Sequence, residues 1–161
     1  MKRTFFLLLA IAATMSSFAQ PVKDPNNATK KVVMKNAITS VIINDNLSVV
    51  LLNDASKEIL IEGSENVLDQ FLVSESKNGI TITNNSGKGR TAALVYIPAA
   101  LIKKITINGA SAISSYEMLN NKNIDVLVNG DCKLWLKTYG AVNVEATSDF
   151  DYTYTARVIA E

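Results

Sequence analysis

Lys104-Ile105-Thr106-Ile107-Asn108-Gly109 recurs 21 positions later as Asp125-Val126-Leu127-Val128-Asn129-Gly130, and Ile113 then falls opposite Leu134. A shorter echo begins at Ala141-Val142-Asn143-Val144-Glu145. A strand followed by an Asn-Gly turn, returning in phase about every 20 residues, is the pattern of stacked coils that bury their apolar faces only against their neighbours. In that register Ile105, Val126 and Val142 form one inward column, and Ile107, Val128 and Val144 form the next. Asn108 and Asn129 stack at a corner, where asparagine tolerates left-handed backbone.

Upstream of the repeats the chain alternates apolar and polar residues in short runs punctuated by Asn and Gly. Residues 40–52, 58–62, 70–76 and 79–84 read as strands because Val, Ile, Leu and Thr dominate them. Asn78-Gly79 lies between two such runs and predicts a two-residue hairpin of type I′, with positive φ at both centres. No segment sustains an apolar period near 3.6, and only residues 64–70 suit a helical turn. The fold class that follows is all-β: a parallel β-helix-like stack of short coils with a local antiparallel hairpin. An antiparallel β-sandwich is the alternative, since the same short strands satisfy it.

At the N-terminus Lys2 and Arg3 precede the apolar run Phe5 to Ala13, and Ser17-Phe18-Ala19 offers small residues at both positions a signal peptidase reads. Residues 1–19 are therefore expected to be a signal peptide, too short in its apolar part to span a bilayer. Residues 20–35, polar at first and carrying two prolines, are expected to be a flexible linker, leaving 36–161 as one domain. The whole chain has 161 residues, 16 Lys+Arg, 15 Asp+Glu, one Cys and no His. Without the signal peptide's two basic residues, 14 basic groups face 15 acidic ones, a balance without bulk attraction for nucleic acid. The absence of His removes every Ser-His or Cys-His arrangement and the commonest metal ligand. Cys132 has no disulfide partner in the chain and no His to activate it, so it is expected to be a small semi-buried residue. Asn27-Ala28-Thr29, Asn46-Leu47-Ser48 and Asn84-Asn85-Ser86 match the glycosylation acceptor pattern, as an Asn-rich chain often does by chance.

Ala37 to Ile43, Leu47 to Leu51 and Glu58 to Gly63 together resemble the start of the auto-transporter adhesin head domain, the head GIN family. The resemblance continues through Asn78-Gly79 before Ile80-Thr81-Ile82, then Tyr96-Ile97-Pro98, then the run from Ile102 to Ser111, and covers roughly residues 36 to 150. Where that family has Ser-Gly-x-Gly turns, this chain has Asn-Gly-Ala-Ser, Asn-Gly-Asp-Cys and Glu-Ala-Thr-Ser. The resemblance carries no catalytic signature. It implies export in Bacteroidetes-type bacteria, a β-helix-like fold and a surface or periplasmic role.

Among side chains suited to chemistry, carboxylates remain, and the tightest cluster is Glu145, Asp149 and Asp151, with Glu117, Asp125 and Asp131 one or two coils away. Alternation places Asp149 and Asp151 on one strand face, as a glycosidase pair requires, but outward carboxylates are also what any soluble strand displays. No calcium loop accompanies them, and no metal or other cofactor is expected. Aromatic residues point elsewhere: with Leu134 and Leu136 inward, Trp135 faces out, and Phe150, Tyr152 and Tyr154 share one face of the last strand. Such rings form a platform for a sugar or a protein, or they close the end of the stack. Lys103-Lys104 and Lys88-Gly89-Arg90 read as solvated turns. The leading expectation is an exported, non-enzymatic domain that recognises a glycan, a cell-surface protein or its own copies as a homo-oligomer. No nucleic acid and no transmembrane segment of the mature chain are expected. A polysaccharide hydrolase or lyase and a structural cell-envelope module are the alternatives.

Overall fold

A computed structural model describes residues 27–85 and 93–147, together with the backbone of Thr153–Tyr154. In chain order its strands are β1 (Ala28–Val33), β2 (Ser40–Asn44), β3 (Ser48–Leu52), β4 (Glu58–Gly63), β5 (Phe71–Glu75) and β6 (Gly79–Asn84), then β7 (Leu94–Pro98), β8 (Lys104–Asn108) and β9 (Ser111–Ser115). They continue with β10 (Asn123–Val128), β11 (Cys132–Trp135), β12 (Ala141–Ala146) and β13 (Thr153–Tyr154), while one short helix, α1 (Glu65–Leu68), joins β4 to β5. Residues 1–26, 88–90 and 149–152, which hold the expected signal peptide, the Lys88-Arg90 group and Asp149, Phe150, Asp151 and Tyr152, lie outside the described residues.

The strands form two mixed sheets facing each other as an open sandwich. One runs β1-β4-β7-β3-β9-β11-β13 and the other β12-β10-β8-β2-β6-β5. Within them β2 is parallel to β6 and β8, β3 to β7 and β9, β10 to β8 and β12, and β11 to β9. Each of the pairs β2–β3, β6–β7, β8–β9 and β10–β11 thus gives one strand to each sheet, and the pairs lie coil upon coil. Parallel neighbours need a long crossover, which here is the strand in the opposite sheet. Alternation does the rest: Val41, Ile43, Ile105, Ile107, Val126 and Val128 face Val49, Leu51, Val95, Ile97, Ile113 and Leu134 across a dry core in which each is at most 2% exposed.

The 21-residue register holds: Ile105 pairs with Val126, Ile107 with Val128, and Ile113 with Leu134. The third coil departs from expectation, because Val126 lies beside Val144 and Ile124 beside Val142, so the predicted columns are two residues out of step there. The corner before β12 is the cause. A Cβ on Gly140 would collide with the carbonyl oxygens of Asn121 and Lys122, so this turn hugs the previous one and shortens the coil to the 18-residue offset seen between Asp125 and Asn143. The slip is even, and the faces are therefore preserved.

Other boundaries also shift. Residues 40–52 are two strands, broken where Asp45 takes a φ of 67°. The Asn78-Gly79 hairpin joins β5 and β6 antiparallel as expected, but positive φ among the described residues occurs at Asp45 and Gly109, so the turn is not type I′. Gly79 is required instead by the close approach of Ser40, whose amide donates to the Asn78 carbonyl oxygen at 3.1 Å. Asn108 and Asn129 do stack at a corner, yet the left-handed residue is the following Gly109, at φ 128°. Residues 28–33, inside the expected linker, form the edge strand β1 beside β4, with Thr29, Lys31 and Val33 facing solvent while Ala28 and Val32 pack against the core.

The chain does not stack its coils in sequence order. β2–β3 lies between β6–β7 and β8–β9, and β4, α1 and β5 close the stack beyond β6–β7 with antiparallel strands. Phe71 and Leu68 fill that end, and the Lys30 ammonium donates to the carbonyl oxygens of Leu68 and Phe71 at 3.1 and 3.2 Å.

Candidate functional site

The outer face of the seven-stranded sheet carries the aromatic residue that alternation singled out. Along residues 131–139 exposed and buried positions alternate without interruption, so Leu134 and Leu136 enter the core and Trp135 leaves it, 44% exposed. Register then sets a row across the sheet: Trp135 beside Ser114, Ser114 beside Val50, Val50 beside Tyr96, and Tyr96 beside Leu60. At about 4.8 Å per strand, Trp135 and Tyr96 stand roughly 14 Å apart, with a small hydroxyl and a valine as the floor between them. Val50 belongs to this outer face yet is only 2% exposed, because its neighbours cover it.

Tyr96 is fixed by its hydroxyl, which donates to the Glu62 carboxylate at 3.0 Å. Burial, reinforced by that bond and by the charge of Glu62, raises its pKa and keeps the phenol protonated. Tyr116, at the end of β9, is close enough to Tyr96 to influence that titration and is 64% exposed. Beside the aromatic row lies a second one, Leu94, Ser48, Ala112 and Lys133. It opens into a cleft of about 370 Å³ at the coil corner, where Asn46, Ala110 and Asp131 join it. The Ser111 hydroxyl at the cleft is already engaged, donating to Asp45 O at 2.7 Å and accepting from the Leu47 amide at 3.3 Å. Cys132 is buried, and burial, with the nearby charge of Asp131, pushes its thiol up to about 11, so it supplies no nucleophile at neutral pH.

Of the acidic candidates among the described residues, Asp131 borders the cleft, while Asp125 and Glu145 lie on the other sheet. Glu145 lies on the outer surface of the six-stranded sheet beside Leu127, and Asp125 on the same surface accepts from the Asn143 side-chain amide at 2.9 Å. Asp149 and Asp151 fall outside the described residues, as do Phe150 and Tyr152. The backbone of Tyr154 sits beside Leu134, one position out of register with Trp135. Among the described residues no group of three or more His, Cys, Asp or Glu could hold a metal ion. The sequence reading missed Tyr116, Tyr139 and the part played by Tyr96. Alternation within residues 94–98 was the available signal for Tyr96, whereas the tyrosines beyond strand ends carried none.

The corner asparagines serve the scaffold. Asn129 Nδ2 donates to Asn108 Oδ1 at 2.8 Å, Asn108 Nδ2 to Asn44 Oδ1 at 2.9 Å, and Asn44 Nδ2 to Thr83 Oγ1 at 3.1 Å. Thr147 Oγ1 extends the chain by donating to Asn129 Oδ1 at 2.9 Å. Five coils are thereby tied by one line of side-chain hydrogen bonds.

Comparison with known proteins agrees with this architecture. The family model described as "Putative auto-transporter adhesin, head GIN domain" matches residues 37–152. Crystal structures each described as a "putative adhesin" share the fold. One from Parabacteroides merdae is 10% identical with a TM-score of 0.59, covering 81% of this chain and 57% of its own. Another, from Bacteroides fragilis, is 13% identical with a TM-score of 0.54, covering 82% and 78%. A third, from Parabacteroides distasonis, is 14% identical with a TM-score of 0.56, covering 83% and 65%. The present chain therefore spans less than two thirds of the first and third of these proteins. No curated protein matches the sequence.

Proposed function

Because the chain belongs to the auto-transporter adhesin head GIN domain family, we propose that it is an exported, non-enzymatic recognition domain of the cell surface or envelope that binds a glycan or protein through the outer face of its seven-stranded sheet. The observation that carries this reading is Trp135, 44% exposed on a rigid strand and in register with Ser114, Val50 and Tyr96. An exposed indole costs a soluble domain apolar contact with water, and paired aromatic posts over a small-residue floor offer a flat, preorganised surface for a sugar ring or a partner side chain. The export signal read in residues 1–19 and the surface or envelope location implied by the family agree with such a role. Among the described residues no helix is long and apolar enough to cross a membrane. Recognition of a second copy uses the same face.

The test is binding of residues 20–161 to an array of glycans and matrix proteins, with Trp135→Ala alongside. A specific hit weakened by about tenfold or more is expected, given the weight aromatic anchors carry. Binding indifferent to Trp135→Ala would move the site elsewhere, and turnover of a polysaccharide would replace the reading with an enzymatic one. Concentration-dependent association lost in the variant would identify the partner as another copy.

A further inference from the structure

Each coil has two corners, and the one opposite the asparagine line carries a second groove. It lies between the connection from β7 to β8 and the connection from β9 to β10, has a volume of about 530 Å³, and is lined by Leu101, Lys103, Asn120, Lys122, Asn123 and Asp125, among others. Its floor is rigid. Asn121, 6% exposed, donates through Nδ2 to the carbonyl oxygens of Ala99 and Ile102 at 2.8 and 2.7 Å and so clamps one connection to the next. The Lys103 amide donates to Thr39 O at 2.8 Å, and Thr138 Oγ1 donates to Leu119 O at 3.2 Å from the far side.

The groove's rim, by contrast, is uncommitted. The side chains of Lys103, Lys122, Asn120 and Asn123 make no hydrogen bond or ion pair among the described residues, and all four are exposed. Asp125, the acidic group present, already accepts from Asn143. Lys104 lies next to the groove, beside Asp125 on β8. In a chain whose formal charge is only +1, the groove thus sets two ammonium groups, Lys103 and Lys122, against one engaged carboxylate, Asp125. Two unpaired lysines are too few for a nucleic-acid track, which needs a line of phosphate contacts. Each is a compact point charge on a flexible stem, able to meet a single carboxylate without a fixed fork geometry. Free amides between them both donate and accept, as vicinal hydroxyls require.

We propose that this corner groove binds a carboxylate-bearing carbohydrate, with Lys103 and Lys122 holding the carboxylate and Asn120 and Asn123 the ring hydroxyls. The site lies away from the Trp135 face and stands or falls independently of it. The test is isothermal titration of residues 20–161 with an oligogalacturonate, with maltooligosaccharide and inorganic phosphate as the neutral and phosphate probes. Oligogalacturonate is expected to bind alone, with affinity falling as salt rises. Lys103→Gln with Lys122→Gln should weaken it by about tenfold, while the double arginine variant and Trp135→Ala retain it within roughly threefold. Failure of oligogalacturonate to bind, equal binding of maltooligosaccharide, equally tight binding of phosphate, or indifference to the double glutamine variant would each overturn the proposal. Loss in Trp135→Ala alone would assign the ligand to the aromatic face instead.

Discussion

Asn108 shows how a single side chain holds this molecule in register. Its amide both accepts from Asn129 and donates to Asn44, so truncation strands a donor on one side and an acceptor on the other. Because water can reach both freed groups, Asn108→Ala is expected to cost about 0.5–1.5 kcal/mol, read as a lower midpoint in urea with an unchanged slope. Asn108→Asp keeps an acceptor for Asn129 but offers Asn44 no donor, and should fall below wild type as well. Gly130 makes a different demand, since a Cβ there would stand 2.5 Å from the Gly109 amide nitrogen and carbonyl oxygen. Gly130→Ala must push two stacked corners apart, and a loss of about 2 kcal/mol or more in the same titration is expected. Cys132 supplies a chemical test of the core: burial, with the charge of Asp131, pushes its thiol from the ordinary 9.0 up to about 11. A raised acid pKa means that the folded state keeps its proton while the unfolded chain loses it, so stability declines as pH rises from about 9 to 11. Cys132→Ser should show a shallower alkaline decline, the remainder coming from Tyr96, whose pKa is also raised, and the native thiol should resist a disulfide reagent at pH 8 until the protein unfolds. Trp135 and these corner asparagines were legible in the sequence because alternation and an Asn-Gly repeat mark them locally. Their chemistry was less so: the asparagines act through side-chain hydrogen bonds, and the left-handed backbone expected of them is found at Gly109, and at neither asparagine nor Gly130.

At the scale of elements, most strands were readable from β-branched runs, but their stacking order was not. β2–β3 lies between coils that follow it in sequence, an arrangement set by which faces meet in space and leaving no period in the chain. The first-half coils therefore carry no repeat visible in the sequence, although β2 pairs with β8 in the same register that joins β8 to β10. The edge strand β1 was likewise hidden in a polar segment, because Lys30 looks solvated until the carbonyl oxygens of Leu68 and Phe71 are placed at its ammonium. The entry to β2 is held by a carboxylate: Glu75 accepts from the Lys35 and Asn36 amides at 3.1 and 2.7 Å and from Asn36 Nδ2 at 3.0 Å. Those bonds, the Lys35 amide foremost, depress its pKa below the ordinary 4.5. A depressed carboxylate stabilises the fold above its unfolded pKa, and the contribution disappears as pH falls through the lower folded value. Wild type is therefore expected to lose thermal stability below about pH 4.5 more steeply than Glu75→Gln, in melts across that window.

For the whole molecule, the two ends of the stack are unlike. At one, β4, α1 and β5 turn the coil path antiparallel and Phe71 fills the core, leaving β1 and β5 as the edge strands. At the other, the inward residues of β12, Val142 and Val144, are only half-buried, whereas Ile107 and Val128 two and one strands away are fully buried. A stack whose stability is the sum of each coil and its contact with the next should open from the less covered end, because β12 has the least apolar contact to lose. Ile107→Ala, in the middle, is expected to cost about 2–5 kcal/mol, whereas Val144→Ala should cost about 1 kcal/mol or less. Amide exchange distinguishes this from a sandwich that melts as one unit. Protection should be greatest in β2, β3, β8 and β9, lower in β10 and β11, and lowest in β12, with Val144→Ala deepening the loss at β12 alone. Equal protection throughout, lowered equally everywhere by Val144→Ala, would mean that the two sheets open together and that the coils are a geometric feature without energetic independence.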